Sequence, residues 1–83
     1  MKIRYFAWLR ERMNRGEEDV DLPAGVTTVG DLIAWLRSRD PAADLAMQKP
    51  HLIKAALDAD IVDHHTPIGS AKVVALFPPM TGG

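Results

Sequence analysis

The sequence places Gly82 and Gly83 behind Pro78-Pro79-Met80-Thr81, and the chemistry such an ending offers is that of its carboxylate. A carboxylate is a poor electrophile, because charge and resonance repel a nucleophile. Joined to the phosphate of a nucleotide it becomes an acyl adenylate with a good leaving group, and the ending can then carry a reactive atom. Glycine at position 83 puts no Cβ beside the reacting carbonyl, and Gly82 lets the backbone pass close to a partner's walls. Pro78 and Pro79 lack amide donors and favour extended geometry, so they are expected to stop a sheet ladder at Phe77 and hold residues 78–83 out as an arm. Four extended residues beyond the prolines reach roughly 13 Å, enough to enter a neighbouring active site. A closing glycine pair arises by chance about 0.5% of the time at an average glycine usage of ~7%, which weighs against a plain frayed end.

No side-chain constellation competes for this chemistry. The chain has no cysteine, which excludes disulfides, thiolate metal sites and a thiol nucleophile. His64 and His65 are adjacent, and neighbouring side chains on an extended loop point in opposite directions, so they do not chelate by themselves. His51 has no acidic or cysteine partner at metal spacing. Asp58, Asp60 and Asp63 lack the glycine and closing glutamate of a calcium loop and read as turn formers. No resident metal or cofactor is expected. Arg4, Arg10, Arg12 and Arg15 are interleaved with acids and read as a solvated or partner-facing surface. Trp8 and Trp35 read as packing residues, with an exposed sheet face used by partners the alternative for Trp8.

The elements that must position the ending emerge from hydrophobic periodicity. Lys2 to Trp8 alternates as a strand, with Ile3, Tyr5 and Ala7 on one face and Lys2, Arg4, Phe6 and Trp8 on the other. Leu9 to Asn14 suits a short helical turn ended by Asn14 and Gly16. Glu18, Val20 and Leu22 alternate with Asp19 and Asp21 as a second strand paired with the first, closed by Pro23-Ala24-Gly25. Thr28 is an N-cap with Asp31 three residues on, and Val29, Leu32, Ile33 and Leu36 give one apolar face to a principal helix running to about Arg39. A shorter helical piece, Pro41 to about Gln48, should rest Leu45 and Met47 on the same core. Leu52 to Leu57 reads as a strand, Asp58-Ala59-Asp60 as a tight turn, and Ile61-Val62 as an edge strand. Lys72 to Phe77 is apolar enough for a central strand covered on both faces. The order predicts an α+β domain over residues 1–77, one long helix packed across a mixed sheet, continued by an extended tail over 78–83.

Composition narrows the setting. At 83 residues there is room for one core. A hydrophobic fraction of 47%, a charged fraction of 25% and a net charge of −1 offer no general attraction to nucleic acid or anionic lipid. No apolar run approaches the ~20 residues that cross a bilayer, and the start lacks a signal-like stretch, so a cytoplasmic protein is expected.

The ending Ala75-Leu76-Phe77-Pro78-Pro79-Met80-Thr81-Gly82-Gly83 resembles the small, sulfur-carrying subunit of molybdopterin synthase, a ubiquitin-like β-grasp family. Phe6-Ala7 with Arg10-Glu11, Leu22-Pro23, and Thr28-Val29 with Leu32 and Leu36 fall where that family carries its first strand, second strand and helix. The chain departs from the pattern in having Ala71-Lys72-Val73 where a Gly-Asp-Glu type turn is usual, and Asp58 where asparagine is common. The resemblance implies a cycle. An adenylyltransferase of the ubiquitin-activating type uses ATP to attach AMP to Gly83, and sulfur from a donor protein replaces the AMP. The Gly83 thiocarboxylate then enters the large synthase subunit and donates sulfur to cyclic pyranopterin monophosphate. The small subunit is not catalytic alone. Gly82 gives clearance, and Ile61, Phe77, Pro78, Pro79, Met80 and Thr81 would meet partners. Other roles sharing the fold and diglycine are sulfur carriage for thiamin thiazole or tRNA thiolation, a ubiquitin-like modifier joined to lysines, and a plain binding module.

Overall fold

The computed structural model describes residues 1–79; Met80, Thr81, Gly82 and Gly83, all assigned to the tail above, lie outside the described residues. Five strands form one mixed sheet: β1 (Lys2–Tyr5), β2 (Glu17–Asp19), β3 (Lys54–Leu57), β4 (Asp60–Val62) and β5 (Val73–Phe77). They lie in the order β2-β1-β5-β3-β4. β5 runs parallel to β1 and antiparallel to β3, and the two outer pairs are antiparallel hairpins. The helices are α1 (Ala7–Met13), α2 (Val29–Arg39) and α3 (Pro41–Ala46), with a single 3-10 turn at Pro50–Leu52. This is the α+β arrangement expected from the sequence pattern, in the β-grasp form that the resemblance implies.

α2 forms because both of its ends are specified locally. The Thr28 hydroxyl accepts from the Asp31 amide at 3.1 Å while the Asp31 carboxylate accepts from the Thr28 amide at 3.2 Å, a reciprocal capping box. The Asp31 carboxyl lies below the usual carboxylate range, first through the Thr27 amide and then through that of Thr28. At the other end Asp40 leaves the helix with extended angles and starts α3, accepting from the Ala42 amide, with Pro41 in the first turn. Val29, Leu32, Ile33 and Leu36 on α2 are buried against Ile3 and Tyr5 of β1, Ala55 and Leu57 of β3, and Val74 and Leu76 of β5. Each such aliphatic side chain contributes roughly 1.5–3 kcal/mol on burial, so this helix is the principal lid of the core.

Several boundaries differ from the sequence reading. β1 stops at Tyr5, not Trp8. The Phe6 amide still bonds the Leu76 carbonyl at 3.1 Å, but Ala7 turns the chain with φ +53° into α1. The alternation at Phe6-Ala7-Trp8 is overridden by a helical pattern in which Leu9 and Met13 are the buried pair. Asn14 ends α1 at φ +57°, as its position suggested. β2 spans only Glu17–Asp19, the residues that pair with β1; the Val20 amide donates to the Met1 carbonyl at 2.9 Å and Leu22 lies beyond the strand. β3 starts at Lys54, since Pro50 and Leu52 belong to the 3-10 turn. Met47 is buried, but Leu45 is 67% exposed, one turn-position away from the core face carried by Ala43 and Ala46. β5 is central yet one-sided: Val74 and Leu76 are buried while Val73, Ala75 and Phe77 are half-buried, because the helices cover only one face of the sheet.

Candidate functional site

The site begins where β5 ends. Central placement gives Phe77 strand neighbours on β3, where it pairs with Lys54, while β1 accompanies β5 up to the Tyr5–Leu76 pair. Pro78 is buried and Pro79 half-buried. Together with Phe6, Trp8, Ala75 and Phe77 they line a largely apolar groove of 470 Å³. The expectation that the proline pair stands clear of the domain is therefore corrected: without amide donors the prolines end the ladder, but their apolar rings lie against the β1–α1 corner. That corner is made by Ala7 in the left-handed region, where a Cβ is disfavoured. Cations border it. The Arg4 guanidinium lies 5.5 Å from the Phe6 ring centre, and that of Arg12 4.4 Å from the Trp8 ring. Lys54 is exposed beside Phe77.

The open sheet face continues from this groove. Register sets Arg4 opposite Ala75, Ala75 opposite Ala56, and Ala56 opposite Ile61. Alternation from these pairs puts Phe77 and Ile61 on the same uncovered face, with Ile61 78% exposed at the far edge. The sheet thus brings together two of the residues singled out in the sequence, Phe77 and Ile61, and adds Phe6, Ala75 and Trp8. Phe6 was legible in part, since its alternation with Arg4 already placed it on the uncovered face. Trp8 reads in the sequence mainly as a packing residue, with an exposed sheet face as the alternative; it is half-buried on α1 and lines the groove with the prolines, a position that depends on that helix.

Polar groups tie β1, β2 and the ends of α1 and α2 together. The Tyr5 hydroxyl donates to Glu18 at 2.6 Å, and Glu18 also accepts from Arg15 at 2.9 Å and Arg39 at 2.6 Å. Arg15 reaches on to Asp40. Burial alone would raise the Glu18 carboxyl, but hydrogen bonds from Arg39, Tyr5 and Arg15 outweigh it and hold the group low. Burial, reinforced by the bond to Glu18, raises the Tyr5 phenol. Arg15 is thus a structural tie and not the solvated or partner-facing group expected. Asp58 and Asp63 are turn formers: Asp58 accepts from the Lys72 and Val73 amides at 2.9 and 3.0 Å, and Asp63 accepts from the His65 amide at 2.8 Å. Among the described residues no group of three or more His, Cys, Asp or Glu is placed to hold a metal ion, and no helix is long and apolar enough to cross a membrane.

The profile of the ThiS family matches residues 3–83. The chain belongs to the ThiS family. Among solved structures, SAMP1 from Haloferax volcanii superimposes with a TM-score of 0.71 at 25% identity, covering 100% of this chain and 98% of that one. A putative molybdopterin converting factor, subunit 1, from Pyrococcus furiosus gives a TM-score of 0.72 at 25% identity over 95% of each chain. A further structure of H. volcanii small archaeal modifier protein 1 gives 0.72 at 24% identity, covering 96% of this chain and 97% of that one. No curated protein matches the sequence significantly. The fold of this ThiS family member is that of a ubiquitin-like sulfur carrier or modifier.

Proposed function

We propose that this ThiS family member is the sulfur-carrying small subunit of a molybdopterin synthase, with the Gly83 carboxylate as its reactive group. The observation that carries the reading is the near full-length likeness to the P. furiosus molybdopterin converting factor subunit, joined to a family match that runs through Gly83. In the first step the Gly83 carboxylate attacks the α-phosphorus of ATP in a ubiquitin-activating-type adenylyltransferase and releases pyrophosphate. Sulfide released from a donor protein then adds to the acyl carbon and expels AMP, and loss of the proton on sulfur leaves a thiocarboxylate. In the large subunit the sulfur passes to cyclic pyranopterin monophosphate, and water restores the carboxylate. This chain supplies the carrier; the pocket and the acid-base groups belong to the larger partner, so the chain alone is not catalytic. Its own groups bind and orient. Phe77, Pro78 and Pro79 fix where the tail leaves the sheet, Met80 and Thr81 span the distance, Gly82 gives clearance, and Ile61 meets the partner on the uncovered face. Arg4, Arg12 and Lys54 lend a positive rim that favours an anionic tail. No cofactor is held permanently, and the cytoplasm is the compartment.

The likeness to SAMP1 at the same identity favours a second reading, a modifier joined through Gly83 to lysine side chains. Intact-mass measurement on protein produced with a competent activating enzyme and sulfur donor separates the two. The carrier reading expects a fraction heavier by ~16 Da, sulfur replacing oxygen at an acyl centre, and dithiolene formation when that fraction meets a large subunit and the cyclic pterin. Removal of residues 82–83 should abolish both. Lysine-linked conjugates with no sulfur transfer would replace the carrier reading by the modifier reading, and sulfur transfer surviving the deletion would overturn both.

A further inference from the structure

The large apolar side chains left exposed among the described residues fall into two sets. Phe6 and Ile61 belong to the uncovered sheet face. Leu45, 67% exposed, stands near the end of α3, and Leu52, 41% exposed, on the 3-10 turn. With Trp8 and Arg12 of α1 and with Lys49 they line a second groove of 420 Å³. A single exposed leucine needs no explanation, but two that converge with an indole ring form a patch of the kind that meets partners. The core does not account for Leu45, since α3 turns Ala43 and Ala46 inward in its place.

The groove carries charge of one sign. Arg12 and Lys49 are both exposed and enter no ion pair among the described residues. Gln48 is the other polar side chain of the lining, which contains no acid. The acids next in sequence to lining residues are matched elsewhere: Asp44 pairs with Arg37 at 3.0 Å, and Glu11 belongs to a separate hollow that it shares with Arg10 and Arg15. Stacking at 4.4 Å holds the Arg12 guanidinium over the Trp8 ring, so cation and apolar surface are presented together. An anionic, partly apolar occupant is therefore the complementary one. Its backbone form follows from the walls, which are helices and a 3-10 turn. The lining residue Ile53 precedes β3, an interior strand, so no free strand edge offers main-chain pairing here. Helix-in-groove recognition, with apolar anchors at i, i+3 or i+4, is the mode left. Trp8 also lines the groove of the proline pair, which makes the two surfaces continuous.

We propose that the groove between α1 and the α3–3-10 segment is a docking site for an acidic amphipathic helix of a protein partner. Leucine-like anchors of that helix sit among Leu45, Leu52 and Trp8, and carboxylates flanking them meet Arg12 and Lys49. A partner seated there reaches the point where Pro78 and Pro79 leave the sheet, while the uncovered sheet face stays open to another protein. The inference does not rest on sulfur carriage, because neither the groove nor its readout involves the chemistry of Gly83.

The test uses the full chain and a capped peptide of about 16 residues, long enough for appreciable helix, with leucine at i, i+4 and i+7 and glutamate beside them. Binding is read from amide and indole NMR shifts. The peptide should move the amides of residues 45–53 and the Trp8 indole signal, and added salt should weaken it. Leu45→Ser with Leu52→Ser, both at exposed positions, should weaken binding roughly tenfold, and Arg12→Gln with Lys49→Gln by a similar factor with loss of most of the salt dependence. Ile61→Ser should leave binding unchanged. A peptide with lysine in place of glutamate should bind at least about tenfold more weakly. Absence of shifts at millimolar peptide, shifts confined to the sheet face, equal binding of the lysine peptide, or full binding by the double-serine variant would overturn the proposal. So would the same shifts on concentrating the chain alone, which would assign the groove to a second copy, or a preference for phosphatidylserine vesicles over the peptide, which would assign it to a membrane.

Discussion

The two edges of the sheet are built on opposite plans. β2 is acidic, and its central residue is drawn inward: Glu18 accepts from Tyr5, Arg15 and Arg39, so the edge is tied to β1, to the turn after α1 and to the end of α2. Lys2 adds a further pair with Glu17 at 3.2 Å. β4, at the other end, spans three residues, exposes Ile61, and among the described residues enters no ion pair. A sheet edge left open is a template for pairing with another chain, which proteins ordinarily blunt or cover. Here one edge commits its charge to stability and the other keeps its surface free. The lesson is that partner-facing surface on this molecule should be sought where the polar groups are uncommitted.

Breaking the closed edge should have the largest effect. Glu18→Ala removes three charge-assisted or hydroxyl bonds and strips the buried Tyr5 hydroxyl of its acceptor, so a loss of about 2–3 kcal/mol is expected in urea unfolding. Because the folded Glu18 pKa lies below its unfolded value of about 4.3, its stabilising effect is fully present above that value and disappears as pH falls through the folded pKa. The stability gap between the parent and Glu18→Gln should therefore be constant from pH 5 to neutrality and narrow as the solution is made more acid; a gap that did not narrow on acidification would show that charge is not its source.

The β3–β4 hairpin sharpens the comparison at intermediate size. Both central turn residues have positive φ, Asp58 at +46° and Ala59 at +77°, the signature of a tight turn that favours asparagine and then glycine. Asp58 tolerates it and also caps the Lys72 and Val73 amides, so Asp58→Ala should cost about 1–2 kcal/mol, whereas Asp58→Asn should retain most of the stability. Ala59 carries a Cβ in a conformation that disfavours one, and Ala59→Gly should raise stability by about 0.5–1 kcal/mol, read as a higher thermal midpoint. Smallest of all, Ile61→Ser on the open edge should change stability by less than about 0.5 kcal/mol, while impairing assembly with partners. If Ile61→Ser unfolded the domain, β4 would be a structural edge and the contrast between the two plans would collapse.

Much of this arrangement was legible because it is local. Thr28 with Asp31, the spacing of Val29, Leu32, Ile33 and Leu36, and Asp40-Pro41 specify α2 and its end without reference to the rest of the chain. The central position of β5 was legible from its apolar run, and its end from Pro78. What the sequence left obscure depends on distant partners. Phe6-Ala7-Trp8 alternates like a strand, yet the turn at Ala7 and the burial of Leu9 and Met13 make it the start of α1. Arg15 looked like one of several surface arginines until the fold brought Glu18 and Asp40 to it across 3 and 25 residues. The approach of His51 to the adjacent pair His64 and His65 was equally invisible, since it requires β3, β4 and the 3-10 turn to meet. The two departures from the family pattern, Asp58 and the Ala71-Lys72-Val73 stretch, proved to be one unit, joined by the carboxylate of Asp58.

The placing of β5 between a parallel and an antiparallel neighbour also has a mechanical consequence. A partner that draws on the segment after Phe77 pulls along the strand, and the ladders to β1 and β3 then bear the load together in shear instead of opening one bond at a time. Loss of β5 would leave β2-β1 and β3-β4 as separate ribbons, each too small to stand alone in water. The strand that leads into the proline pair is thus also the keel of the sheet, and a pull on it is shared across both halves of the domain.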